Sequence, residues 1–245
     1  MIPIARNAIL AATLMFLLGC ASKPALLMPD DRVSLSSQPQ IVAIHYPPGE
    51  DFRFSYGGGF MGGGAFVTLS EGLNTARLKS DLWLEDPVPH FKERLVGALQ
   101  ANLKLTNVRT LSELPPNIQE ARRTGTPALD DALKEAFRTG VVLDVQTRRW
   151  MVEGTRVVYL ARARLLRLSD LHVIWRGACK HVSELRFPET GKADPLEPPP
   201  GAKEKMEALE ADDGKVLKAT LREAAGGCAD SLAGEALGKV GQPDR

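Results

Sequence analysis

The run VVLDVQTRRWMVEGTRVVYLARARLLRLSDLHVIWRGACKHVSELRF, residues 141–187, reads as three successive antiparallel strands. Val141 to Val152 leads to a turn at Glu153-Gly154, Arg156 to Leu168 leads to a turn at Ser169-Asp170, and His172 to Val182 completes a meander. Side chains alternate across a strand, so the sequence also sorts the faces. In the second strand Tyr159, Ala161, Ala163 and Leu165 fall on one side, and Arg162 and Arg164 fall on the other with Val158, Leu160 and Leu166. In the third, Val173, Trp175 and Cys179 share a face, and Ile174, Arg176 and Lys180 share the opposite one.

Working outward, Ile41 to Tyr46 is a β-branched run stopped by Pro47-Pro48, which suits a buried strand. Asp86 and Pro87 open a helix whose Val88, Phe91, Leu95, Leu99 and Leu103 recur at helical spacing. Thr126-Pro127 opens another, with Leu129, Leu133 and Phe137 inward and Gly140 as the stop. Between them, residues 105–111 predict a short strand and residues 116–123 a helical turn. The last element is a long helix from about Lys215 to Leu237, with Leu217, Leu221, Ala225, Cys228, Leu232 and Ala236 on one stripe. This order predicts an α+β fold: a mixed sheet that includes a three-stranded antiparallel meander, with helices packed on one face.

At the amino terminus, Arg6 precedes an apolar run of eleven residues, Ala8 to Leu18. Spanning a bilayer takes about 20. A positive start followed by a short apolar stretch and small residues marks a secretory signal. Its end, Leu17-Leu18-Gly19-Cys20, resembles the lipobox of bacterial lipoproteins. That resemblance implies cleavage after Gly19, diacylglyceryl and further acyl groups such as palmitate on Cys20, and, with Ala21 rather than aspartate next, an outer-membrane address on the periplasmic face. Several acyl chains are needed for firm anchoring, because one chain alone binds marginally. The expected organisation is a signal peptide at 1–19, a lipidated tether at 20–39 rich in Ser, Pro and Asp, and a single periplasmic domain at 40–245. With Cys20 committed to lipid, Cys179 and Cys228 are the remaining pair in an oxidising compartment, and their facing stripes predict a structural disulfide.

Composition bounds the function. The chain has 44% hydrophobic and 25% charged residues, which is ordinary for a globular domain. Removing residues 1–19 takes away one positive charge, Arg6, and leaves 30 basic and 30 acidic residues, so no global charge points to nucleic acid. Charge is nevertheless segregated. Residues 141–187 hold nine basic and four acidic residues, whereas 188–213 hold eight acidic and three basic, within a Pro-rich excursion expected at 187–213. A basic sheet face centred on Arg162, Arg164 and Arg176 is one candidate surface for an acidic partner. The other is the Gly-rich segment from Tyr56 to Val67, in which Phe60 and Met61 stand between two glycine triplets and read as an adaptable apolar lip on a loop.

Sequence signatures of catalysis are missing. His45, His90, His172 and His181 show no HExxH spacing, no GxSxG elbow occurs, and the glycines lack the GK[ST] ending of a phosphate loop, so neither a metal nor a cofactor is expected. The element order looks like the small periplasmic α/β domains of envelope-assembly lipoproteins, among them the curli-secretion lipoprotein, the penicillin-binding-protein activator lipoprotein and the amino-terminal domain of the Tol-system propeller protein. It covers roughly residues 40–237, and no diagnostic motif carries a binding residue across. The resemblance implies a non-enzymatic, membrane-anchored accessory that binds a protein or envelope polymer. The alternatives are an envelope hydrolase whose active site has no motif, and a passive structural lipoprotein.

Overall fold

The computed structural model describes residues 26–55, 64–124, 126–186 and 202–238. In chain order these form α1 (Pro29–Ser36), β1 (Ile41–Tyr46), β2 (Arg53–Ser55), α2 (Gly64–Asp81), α3 (Val88–Leu103), β3 (Val108–Thr110), α4 (Pro116–Thr124), α5 (Thr126–Phe137), β4 (Val141–Glu153), β5 (Arg156–Arg167), β6 (His172–Glu184) and α6 (Ala202–Ala236). One mixed sheet runs β3-β1-β4-β5-β6, and β2 pairs with the far end of β4. The β3, β1 and β4 strands are parallel, whereas β4, β5 and β6 are antiparallel. The expected meander and the α+β class are both present.

Burial along β4 explains the layering. Residues 141–147 are buried without a break, and only from Arg148 onward do exposed and buried positions interleave. A strand covered on both faces reads as a continuous apolar run, and one covered on a single face alternates. The first half of β4, like β1, therefore lies between two helix layers. On one face α3 and α6 pack through Phe91, Leu95, Leu99, Leu217, Leu221, Cys228 and Leu232 against Leu143, Val145, Tyr159, Ala161, Leu165 and Trp175. On the other, α4 and α5 set Ile118, Leu129 and Leu133 on Val42, Ile44, Val142 and Leu166. The expected single helical face holds for α3 and α6, and the short pair adds a second, partial layer.

Close approach of α6 to β6 depends on small residues. Ala224, Ala225, Cys228 and Ala229 are fully buried, and a side chain at Gly177 would run into Leu232 and Trp175. Cys179 and Cys228 lie 5.6 Å apart at Cα and form the expected disulfide, 49 residues apart in sequence. Gly140, at φ +93°, carries the chain from α5 into β4, where a Cβ would collide with the Gln40 carbonyl.

Three segments depart from the sequence-based expectations. Within the stretch expected as a tether, residues 29–36 are helical, and Leu27 and Leu35 are 1% exposed, so part of that stretch belongs to the domain. The Gly-rich segment was expected to be loop through Val67, yet α2 begins at Gly64. The only buried side chain described on this helix is Leu78, too little for a periodic apolar signal. Finally, α6 begins at Ala202 inside the expected Pro-rich excursion, with Leu209 buried, and is interrupted where Asp212, Asp213 and Gly214 take left-handed backbone angles. The signal peptide, Cys20, and the Phe60 and Met61 lip lie outside the described residues.

Replacing both Cys179 and Cys228 with alanine is expected to lower stability by about 4 kcal/mol, the loop-entropy value for a closure of this length, as measured by urea unfolding with and without reductant. A reductant-insensitive wild type with the same midpoint as the variant would show that the bond contributes nothing.

Candidate functional site

The α4–α5 layer stops halfway along the meander and leaves one sheet face uncovered. Across that face the register aligns Asp144 with Arg164 and Arg176, Gln146 with Arg162 and Ala178, and Arg149 with Leu160 and Lys180. A bulge between Thr147 and Arg149 leaves Arg148 as an extra residue of β4. The same irregularity is matched on the β1–β2 side. Pro47 and Pro48 have no N–H to offer the ladder, so the chain leaves β4 there, Gly49 N–H donates to the Thr147 carbonyl (2.8 Å), and pairing resumes at Arg53.

The arginines of this face have different electrostatic fates. Arg164 donates to Asp144 and, through its second nitrogen, to Asp130 of α5, both at 2.5 Å, and its side chain is only 17% exposed. Burial alone would lower its guanidinium, but the Asp144 charge and the hydrogen bonds to Asp130 and Asp144 outweigh that and hold it above its usual range. Burial likewise pushes the Asp144 carboxyl up, opposed by Arg164. Arg164 is thus spent inside the fold.

By contrast Arg148, Arg162, Arg176 and Lys180 are exposed and form no ion pair among the described residues. Partial burial lowers the Arg162 guanidinium, and the neighbouring positive charge of Arg148 adds to the effect. Leu160 and the exposed Ala178 and Val182 lie among these cations. Of the expected site residues, then, Arg162 and Arg176 are free, Arg164 is bound by two carboxylates, and Arg148 and Lys180 join the free set. The Arg148-Arg149 doublet, two like residues where alternation should continue, was the available sign of the bulge.

Two other places concentrate chemistry. The first is a cleft of about 1240 Å³ between the β1–β2 connection and α2, bordered by Phe52, Lys79, Trp83 and Glu85. Trp83 is 83% exposed and sits at φ 49°, a left-handed conformation that a bulky residue rarely adopts. The second is a buried polar chain in which Thr147 donates to Asp86 (2.6 Å) and shares a hydrogen bond with the Tyr159 hydroxyl (2.8 Å), while the Val88 N–H caps on the same Asp86 oxygen (3.1 Å). Burial raises the Asp86 carboxyl to about 6, against the hydrogen bonds from Thr147 and Val88. Pro87 takes the N-cap position, so Asp86 stands one residue before the cap expected of it, where it accepts from the Val88 N–H and joins α3 to the sheet.

Two of the four histidine positions have structural partners, His45 through its ring and His172 through its backbone. Lys92, 2% exposed, donates to the Leu111 carbonyl and lies 3.0 Å from His45 Nδ1, fastening α3 to β1 and to the chain after β3. Burial, aided by the Lys92 charge, lowers His45 to about 4. The Asp170 carboxylate is held by Arg167 (2.9 and 2.8 Å) and by the backbone N–H of His172. No group of three or more metal-ligating side chains occurs among the described residues.

No protein-family model and no curated protein matches the chain. Similar solved structures include the hypothetical protein CT253 from Chlamydia trachomatis, 8% identical over 80% of this chain and 97% of that one with a TM-score of 0.39. Lipoprotein GNA1162 from Neisseria meningitidis is 12% identical over 62% of this chain and 89% of that one, with a TM-score of 0.32. The LpoB C-terminal domain from Salmonella enterica is 11% identical over 58% and 82%, with a TM-score of 0.25.

Two outcomes follow from the charge chemistry. Arg164→Ala strands two carboxylates and is expected to cost about 3 kcal/mol in chemical denaturation, whereas Arg162→Ala, one strand position pair away and exposed, changes stability by less than about 0.5 kcal/mol. Asp86 titrates near 6 when folded and near 3.8 when unfolded, so the folded state holds the extra proton between those values and wild-type stability gains from this group as pH falls. Asp86→Asn is therefore expected to be more stable than wild type above pH 6, by about 3 kcal/mol, with the gap closing below pH 4. A pH-independent gap in urea midpoints would contradict the assignment.

Proposed function

We propose that this chain is a periplasmic lipoprotein, anchored through acylated Cys20 in the outer membrane, and that it is a non-enzymatic accessory which binds an acidic protein surface or an anionic envelope polymer on the uncovered face of the meander. The observation that carries the binding site is the set of four exposed cations, Arg148, Arg162, Arg176 and Lys180, left without carboxylate partners on one rigid sheet. Several other arginines are neutralised within the domain. Arg149 pairs with Glu50, Arg156 with Glu184, Arg94 with Asp230, and Arg167 with Asp170. Unpaired cations held close together repel one another, and an incoming anion relieves that repulsion. The Leu160, Ala178 and Val182 side chains between them supply apolar contact of the kind found at the centre of an interface. The anchor reading rests on the Leu17-Leu18-Gly19-Cys20 sequence, and the Cys179–Cys228 bond agrees with an oxidising compartment.

The triple variant Arg162→Glu, Arg176→Glu, Lys180→Glu is the test. A photo-crosslinker at Leu160 in the otherwise unchanged protein should trap a partner in cells, and the charge-reversed background should reduce that adduct at least tenfold while leaving the thermal midpoint within a few degrees. Equal crosslinking in both backgrounds would exclude this face. The mass of the purified mature protein tests the anchor separately, since acylation and loss of residues 1–19 change it together.

A further inference from the structure

We infer that the exposed apolar side chains Leu26, Met28 and Val33 meet the phospholipid surface, so that the α1 end of the domain lies against the membrane and the Trp83 cleft points away from it. The six large apolar side chains exposed among the described residues are Leu26, Met28, Val33, Leu73, Trp83 and Val182, and half of them fall within residues 26–33. Leu26, Met28 and Val33 are 53%, 61% and 70% exposed. They are held in place by their neighbours. Leu27 is buried and its N–H donates to the Ala236 carbonyl (3.2 Å), Arg32 donates to the Leu27 carbonyl (3.1 Å), and Leu35 is buried two positions after Val33. The intervening apolar side chains consequently turn outward from a backbone fixed to the end of α6.

What covers them follows from chain length. This inference rests on the reading of Cys20 as the acylated residue. Whatever the conformation of the chain, Cys20 and Leu26 are six residues apart and can be separated by roughly 20 Å at most. Acyl groups in the periplasm-facing leaflet therefore hold the α1 end of the domain within the thickness of a headgroup layer and a little more, where exposed apolar side chains meet lipid. Asp30 and Asp31 share α1 with Val33, so the surface that fits is zwitterionic phospholipid rather than an anionic one. Direction along the fold is also fixed. Trp83 lines the same hollow as Lys218, while Ala236 binds Leu27, and the helical stretch from Lys218 to Ala236 is roughly 27 Å long. Trp83 thus stands at the opposite pole and serves as a native control.

The experiment uses full-length acylated protein reconstituted into phosphatidylcholine vesicles with brominated or plain acyl chains, bromine being a short-range quencher of tryptophan. Trp150 and Trp175 are buried and emit in every variant, so the readout is the difference from the Trp83→Phe parent: the emission that Val33→Trp adds should fall about twofold or more on brominated vesicles, whereas wild type, which carries Trp83 beside the two buried tryptophans, should be unchanged. Protein that carries the acyl mass and floats with the vesicles yet shows no quenching at position 33 overturns the inference and leaves the anchor standing. Protein without the acyl mass that stays in solution overturns both. Self-association removed by Val33→Glu, with no quenching on vesicles, assigns the face to a second copy and likewise overturns it.

Discussion

Seven consecutive buried residues at the start of β4, from Val141 to Thr147, set the terms for the rest of the molecule. A strand buried on both faces needs two layers of cover. One layer is supplied by the long helices α3 and α6, and the other by the short pair α4 and α5, which reaches only half the length of the meander. Where the second layer ends, at the Arg148 bulge, the sheet keeps its core on one side and meets solvent on the other. The uncovered basic face is thus a consequence of how much helix the chain provides between β3 and β4.

Buried polar groups fix how those layers sit. Asp144 could not remain beneath α5 without Arg164, and Arg164 in turn needs Asp130 from that helix, so the three side chains join β4, β5 and α5 into one unit. On the opposite face Asp86, Thr147 and Tyr159 join the start of α3 to β4 and β5. Lys92 with His45 and Leu111 adds a third node. Such groups discriminate between arrangements more than they stabilise, because each is costly to bury unless its partners are in place. Their perturbed titration is therefore explained by packing, and does not require catalysis.

Much of the fold was legible because the relevant signals are local. Strand boundaries at Glu153-Gly154 and Ser169-Asp170 follow from turn chemistry, β1 ends where two prolines remove its donors, and the stripes of α3 and α5 follow from spacing alone. Segments that escaped lack such signals. The α1 helix buries one side chain of its own, Leu35, and α2 only Leu78 among those described, so neither offers a repeat that a reader of the sequence can detect. The start of α6 was hidden by the acidic, Pro-rich composition that leads into it. In each case tertiary contacts, not propensity, hold the segment in its conformation.

The candidate site divides along the same line. The sequence by itself determined the meander, the face on which each arginine lies, and the opposition of Cys179 and Cys228, since alternation along a strand and periodicity along a helix are properties of the chain alone. Only the tertiary structure decided which cations are free. Arg162 and Arg164 are indistinguishable by pattern, two residues apart on one face, yet Asp130 arrives beside Arg164 from a helix 34 residues earlier, and no carboxylate forms an ion pair with Arg162 among the described residues. Neutralisation depends on what the fold brings within a few ångströms, and that distance is not written in either residue's neighbourhood.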